Sequence, residues 1–261
     1  MDLGLTGKRA LVLGGSRGLG AAVARGLARE GASVIAAARS ETDAKAWIAQ
    51  EAPEVAQRLG VHALDLSDRA SVDALADAVL AQGGVDILVN NSGGPPPGPA
   101  AGTGLDLWLK QFEAMAGHLF HLTGRLLPPM LAQGWGRVIT ITSSGIEQPI
   151  PNLALSNGIR MAVLGWSKTL SAEVAAQGVT VNLVLPGRIH TDRVDQLDQA
   201  AATKQGKSRE DVARASQALI PTGRYGKPEE FADAVVFLSS TRASYITGSK
   251  LRVDGGMIRG V

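Results

Sequence analysis

Short runs of almost unbroken apolar residues alternate along this chain with longer stretches in which apolar positions recur every three or four residues. The short runs fall at residues 9–13, 33–38, 61–66, 85–89, 137–142, 179–184 and 250–253. Strands buried on both faces have this near-continuous apolar character. The longer stretches occupy residues 18–30, 42–52, 67–82, 105–132, 153–177 and 228–239, and their spacing predicts helices with one apolar face. Ser67 and Asp68 stand where a helix cap is wanted, and Pro228-Glu229-Glu230 is a favourable helix start. Regular alternation of strand and helix implies an α/β fold. The expected architecture is a doubly wound parallel sheet of seven strands flanked by helices, with right-handed crossovers.

Two stretches break the rhythm. Residues 93–104 are rich in Gly and Pro and read as a loop. Residues 190–225 form a long polar insertion between the last two strands, with helices expected at 192–204 and 208–219. An insertion of that size beside a ligand site acts as a lid; a solvated pair of surface helices fits the pattern equally well. No linker or repeat divides the chain, so residues 1–261 are expected to form a single domain.

Composition narrows the function classes. The chain is 45% hydrophobic but only 4% aromatic, with 32 glycines among 261 residues, which suits close packing of small residues between helix and sheet. Net charge is +2 and the basic residues are scattered, so no nucleic-acid partner is expected. Without cysteine there are no disulfides, no thiolate catalysis and no cysteine-ligated metal. The four histidines, at 62, 118, 121 and 190, lack convincing ligand spacing, and no metal is expected. No apolar run reaches the roughly 18 residues that span a bilayer. The opening residues lack a charged segment followed by an apolar one, so a soluble cytoplasmic protein is expected.

The first apolar run leads into Gly14-Gly15-Ser16-Arg17-Gly18-Leu19-Gly20, directly before an amphipathic helix. A pyrophosphate needs close backbone approach and a free helix N-terminus, and this turn offers both. The position of the glycines between strand and helix therefore predicts a Rossmann-type dinucleotide site. About 20 residues on, an acid would grip a ribose 2′-hydroxyl. Here the second strand ends Ala36-Ala37-Ala38-Arg39, with no carboxylate. Arg39 and Arg17 suit a 2′-phosphate, which favours NADP(H); Glu41 keeps NAD(H) possible.

From this point the sequence resembles the short-chain dehydrogenase/reductase family, in particular its 3-oxoacyl-carrier-protein reductases. Gly14, Gly18 and Gly20 match that family's cofactor turn. Asp65-Leu66 matches its adenine contact, and Asn90-Asn91-Ser92-Gly93 its motif after the fourth strand. Pro186-Gly187-Arg188-Ile189 with Thr191 resembles its Pro-Gly motif, whose following Ile and Thr touch the nicotinamide amide. The tail, from Gly223-Arg224-Tyr225-Gly226 with Pro228-Glu229-Glu230 to Val253-Asp254-Gly255-Gly256, is specific to the family. The resemblance implies hydride transfer between NADP(H) and a carbonyl or C=N substrate. It also implies a homotetramer or homodimer.

Carried over position by position, the family's catalytic group is altered. Its serine is Ser143. Its tyrosine and lysine fall at Ser156 and Arg160, and its asparagine at Met115. A serine hydroxyl is a far weaker acid than a phenol, whose ordinary pKa is about 10. Arginine holds its charge and does not relay protons. Arg160 lies one helical turn after Ser156 and can still hold ribose hydroxyls. Three readings follow. Another acid serves, with Glu147, His190 and His118 as candidates. Alternatively, the substrate needs no acid, as with an iminium carbon, and a substrate carboxylate could dock on Arg160. Or the protein is a catalytically impaired cofactor-binding module or partner subunit.

Overall fold

The computed structural model describes residues 1–260; Val261, the last residue of the expected domain, lies outside the described residues. Seven strands form one parallel sheet in the order β3-β2-β1-β4-β5-β6-β7. They are β1 (Arg9–Leu13), β2 (Ser33–Ala38), β3 (Leu59–Ala63), β4 (Ile87–Asn90), β5 (Gly136–Ile141), β6 (Val179–Pro186) and β7 (Lys250–Val253). From β1 the chain steps outward through β2 to β3, then returns to lay β4 on the other side of β1, with Ala10 opposite Ile87. That reversal opens a crevice at the carboxyl ends of β1 and β4, where ligands of such sheets bind.

Helices cover both faces. On one, α1 (Gly18–Arg29) and α10 (Pro228–Ser239) bury Val23, Leu27, Phe231 and Val235 against the sheet. On the other, α4 (Arg69–Ala81) and α6 (His118–Ala132) bury Leu75, Val79, Leu122 and Leu126. The central strands β4 and β5 are buried along their whole length, as their unbroken apolar runs require. No helix among the described residues is long and apolar enough to cross a membrane.

Several boundaries differ from the sequence expectation. β3 ends at Ala63, not 66, because Asp65 turns the chain: its carboxylate accepts the backbone N–H of Ser67 at 2.9 Å. β4 pairs over Ile87–Asn90 instead of 85–89. The helix expected at 42–52 is α2 (Glu41–Ile48), which ends four residues early, and a separate single turn, α3 (Pro53–Ala56), follows it. Proline starts a helix well, and Pro53 opens that turn. The expected long helix at 105–132 is α5 (Leu105–Phe112) and α6, joined through a π-helical turn at Glu113–Gly117. Its final turn carries Pro128 and Pro129. Within the insertion, α8 (Asp192–Gln205) stops at Gly206, whose left-handed φ of 64° ends the helix. Next, α9 (Arg209–Ala218) starts under a Ser208 cap that accepts from Asp211 N–H.

Candidate active site

The glycine turn leaves no room for a side chain at Gly14, Gly15 or Gly20. Gly14 and Gly18 have φ of 65° and 56°, which L side chains rarely adopt. A Cβ on Gly14 would stand 2.6 Å from Asn91 Nδ2, and one on Gly20 would stand 2.2 Å from the Gly14 carbonyl oxygen. Asn91, just past β4, thus presses directly on the turn. Behind it, α1 begins with no side-chain cap and no acid in its first turn, so its N–H groups and dipole face outward. A pyrophosphate is the natural partner for such an end. Ser16 and Leu19 are half-buried in this turn, and Leu19 packs on the core.

At the far end of the crevice, Arg39 stands exposed after β2, close enough to Asp65 for its field to help lower that acid's pKa. The larger causes are hydrogen bonds from Ser67, through its backbone N–H and its hydroxyl, at 2.9 and 2.7 Å. Leu66 is half-buried, and its carbonyl bonds His118 Nδ1 at 2.7 Å. Arg17 is exposed and lies 3.7 Å from Asp192 on α8.

Past β4, Ser92 is buried and Gly93 exposed where the chain opens into the Gly/Pro loop. Pro186 ends β6, and Gly187 is required by contact: a Cβ would stand 2.6 Å from Asp254 Cα. Ile189 is buried and bridges to Gly226, while Thr191 precedes α8 and turns its hydroxyl to the Ile189 carbonyl instead of capping the helix. The Thr191 methyl would lie 3.7 Å from a Cβ on Gly18, so residues remote in sequence meet here.

The residues expected to act on a substrate gather where α7 (Ala154–Val174) packs on the turn after β5. Ser143 has extended backbone, and its Oγ accepts the Gly145 N–H at 3.1 Å, which leaves the hydroxyl proton free to donate. Arg160 Nη1 donates to the Ile141 carbonyl at 3.1 Å, tying α7 to the end of β5. Its Nε–H is buried without a partner. Burial lowers the guanidinium pKa to about 10, still charged at neutral pH. Ser156, half-buried, makes no hydrogen bond among the described residues. Met115 is buried on the π-helical turn, in an apolar cluster with Ile146, Leu155 and Ile159.

The candidate acids are engaged elsewhere. Glu147 pairs with Lys250 at 2.6 Å and faces Arg252 at 4.0 Å. His118 is buried, bonded to Leu66 and 3.7 Å from Glu113. His190 lies 3.5 Å from Asp195, beside a cavity of about 350 Å³ between α8, α9 and residues 224–227. Of the apolar residues near the site, Ile146 is core and Trp108 packs on Gly158, but Leu105 is exposed.

Sequence reasoning missed three features. Asn157 clamps the loop before α7, with its amide donating to Ile150 O and accepting from Ile150 N–H. Arg193 lies against Gly94, joining the insertion to the Gly/Pro loop. The nearly fully buried Asp198 accepts from Arg188 at 2.9 Å and from Tyr225 at 2.8 Å. Asp198 lies four residues from both Val194 and Ala202, on the buried face of α8.

A parallel sheet, a glycine turn at its switch point and a serine at the end of β5 define a nicotinamide-dependent type of oxidoreductase. The chain belongs to the short-chain dehydrogenase/reductase family. A family model described as Enoyl-(Acyl carrier protein) reductase matches residues 14–258. The chain is 37% identical over 262 residues to a 3-oxoacyl-(acyl-carrier-protein) reductase of Vibrio cholerae, covering 98% of this chain and 99% of that one. It is 36% identical over 258 residues to the corresponding reductase of Salmonella typhimurium, covering 96% and 97%. Among solved structures, L-sorbose reductase from Gluconobacter frateurii, complexed with NADPH and L-sorbose, superposes with a TM-score of 0.91 at 31% identity over all of both chains.

Proposed function

We propose that the chain is an NADP(H)-dependent oxidoreductase that interconverts a carbonyl, or its C=N counterpart, with the reduced form. The observation that carries this is the turn at Gly14–Gly20, whose Gly14, Gly15 and Gly20 admit no side chain, followed by Arg39 where an NAD-specific site would place an acid. The residues fit the dinucleotide. Gly14, Ser16, Gly18, Leu19, Gly20 and the α1 N-terminus would hold its pyrophosphate, and Arg17 and Arg39 its 2′-phosphate. Asp65 and Leu66 would contact adenine. Asn91, Ser92, Gly93, Pro186, Gly187, Ile189, Thr191 and Arg160 would position the nicotinamide half. When bound, the cofactor supplies or takes up the hydride.

The chain's own residues do the rest. Ser143 presents a donor proton to the reacting oxygen or nitrogen, and Ser156 supplies a second hydroxyl one turn from Arg160. Arg160 stabilises negative charge without giving up a proton. A C=N carbon that already carries positive charge asks for no acid, which suits this set. A second reading, a cofactor-binding module or partner subunit without turnover, draws on the same geometry: Met115 is apolar core, and Glu147, His118 and His190 have other partners. In this proposal the insertion is a lid, and copies associate as a homotetramer or homodimer in the cytoplasm.

Calorimetric titration with NADPH and NADH tests the assignment. Tight NADPH binding with at least tenfold weaker NADH binding is expected. An Arg39→Ala variant should lose about tenfold for NADPH and little for NADH, since one charge-assisted bond is worth roughly 1.5–3 kcal/mol. Equal binding of both cofactors sinks the NADP(H) assignment. Following NADPH absorbance with ketone and imine substrates then separates turnover from binding alone.

A further inference from the structure

The inner arginines of this protein are not alike. Arg137 is buried, yet its guanidinium bonds the carbonyls of Ser240, Gly136 and Gly178 and lies over the Trp135 ring. Arg188 has the Asp198 carboxylate at 2.9 Å. Arg160 has one neutral carbonyl, a buried Nε–H with no partner, and no ion pair among the described residues. Arg160 is half-buried with its Nε–H wholly out of water, and a charge so placed is unfavourable without a counter-ion. The dinucleotide does not supply that counter-ion. Its phosphates belong at the glycine turn beside β1 and at Arg39 after β2. Arg160 is tied to β5, two strands from β1 and about 10 Å away at the usual strand spacing.

We propose that the substrate brings the missing charge: a carboxylate next to the reducible carbon, received by the Arg160 guanidinium between the hydroxyls of Ser143 and Ser156. The substrate class is then a short oxo acid or its imino counterpart. This rests on the oxidoreductase reading and narrows it. The planar guanidinium fork matches a carboxylate, where a lysine would offer only a point charge. Nη1 is committed to Ile141, so the head is fixed and its remaining N–H groups are those left to an anion. Ser143 is already oriented by Gly145 and donates its proton outward. Trp108 against Gly158 and the Asn157 clamp on Ile150 give the adjoining surface of α7 and its preceding loop a fixed shape. A set of donors without an acid is a site for a group that stays anionic.

The test uses the full-length protein saturated with NADP⁺ and two pairs of isosteric probes, acetate against acetamide and oxamate against oxamide, with binding read by calorimetry. The carboxylates are expected to bind at least tenfold tighter than the amides. That ratio should collapse to near one in Arg160→Gln and return in part in Arg160→Lys, each variant being held saturated with NADP⁺ at its own measured affinity. The wild-type ratio needs no variant, so a misfolded Arg160→Gln protein, recognised by circular dichroism, leaves the main comparison standing. Equal affinity for charged and neutral probes in the wild type overturns the proposal. So does an Arg160→Gln variant that, saturated with NADP⁺, keeps the wild-type ratio, because the carboxylate preference would then arise elsewhere. A wild-type chain that fails to bind NADP⁺ overturns the oxidoreductase reading, and this one with it. NADP⁺ binding without carboxylate preference overturns this inference alone.

Discussion

Gly14 shows how much one residue determines. Its φ of 65° and the Asn91 amide 2.6 Å from where a Cβ would stand make alanine unfavourable twice over. A residue held in the left-handed region costs of order 1–3 kcal/mol before the clash is counted. Gly14→Ala is expected to lower the thermal midpoint by several degrees and to weaken NADPH binding at least tenfold, read by scanning calorimetry and fluorescence titration. Glu230 offers a second check at this scale. Its bonds to Arg224, then to the Lys227 N–H, hold its pKa at about 2, below the ordinary value of 4.5. A carboxyl depressed in the folded state contributes stability above its unfolded pKa and loses it as pH falls toward the folded one. The contribution is therefore complete above about pH 4.5 and gone near pH 2. In Arg224→Ala, the Glu230 carboxyl should titrate closer to 4.5 by carbon-detected NMR; an unmoved titration would mean the ion pair is not formed in solution.

At the scale of elements, the insertion is anchored and not merely appended. Asp198 ties α8 to Arg188 in the Pro-Gly segment and to the Tyr225 hydroxyl after α9. Asp198 is buried but the Arg188 side chain is 35% exposed, so water reaches the charge left behind, and losing both of the acid's hydrogen bonds costs about 1–3 kcal/mol. Asp198→Ala is expected to destabilise by that order and to free residues 190–225 to hydrogen exchange. Tyr225→Phe, which removes one hydrogen bond, should cost about 1 kcal/mol and leave exchange near wild type. The same pattern explains what was readable in advance. Strand and helix periodicity placed all seven strands. The inner strands β1, β4, β5 and β6 are buried on both faces, while the edge strands β3 and β7 were legible from their position in the alternation although they are half-buried or exposed. The glycine turn was legible because its requirement is local. The Arg188–Asp198–Tyr225 network was not, because a buried acid on a polar helix looks like any exposed one until the partners arrive from other elements. The π-helical turn at Glu113–Gly117 left no mark either, since its residues keep a helical pattern on both sides.

For the molecule as a whole, α5 has no buried residue and exposes Leu105, Leu109 and Phe112, while α7 exposes Met161. Exposed apolar faces of this kind mark association surfaces. If copies pair through this face, Leu109→Asp with Phe112→Asp should shift the protein toward monomer in analytical ultracentrifugation; an unchanged mass would move the interface elsewhere. The strand order carries one more consequence, for folding. β1 and its glycine turn emerge first, but Asn91, which shapes that turn, arrives only when β4 docks on β1, with Ala10 opposite Ile87. Contacts so distant in sequence form late, since a long loop must close first. On refolding from denaturant, helical signal should therefore return before NADPH fluorescence does. A fragment ending at residue 60 would carry the whole glycine motif and still bind no dinucleotide. Cofactor capture is in this sense a report that the two halves of the sheet have met.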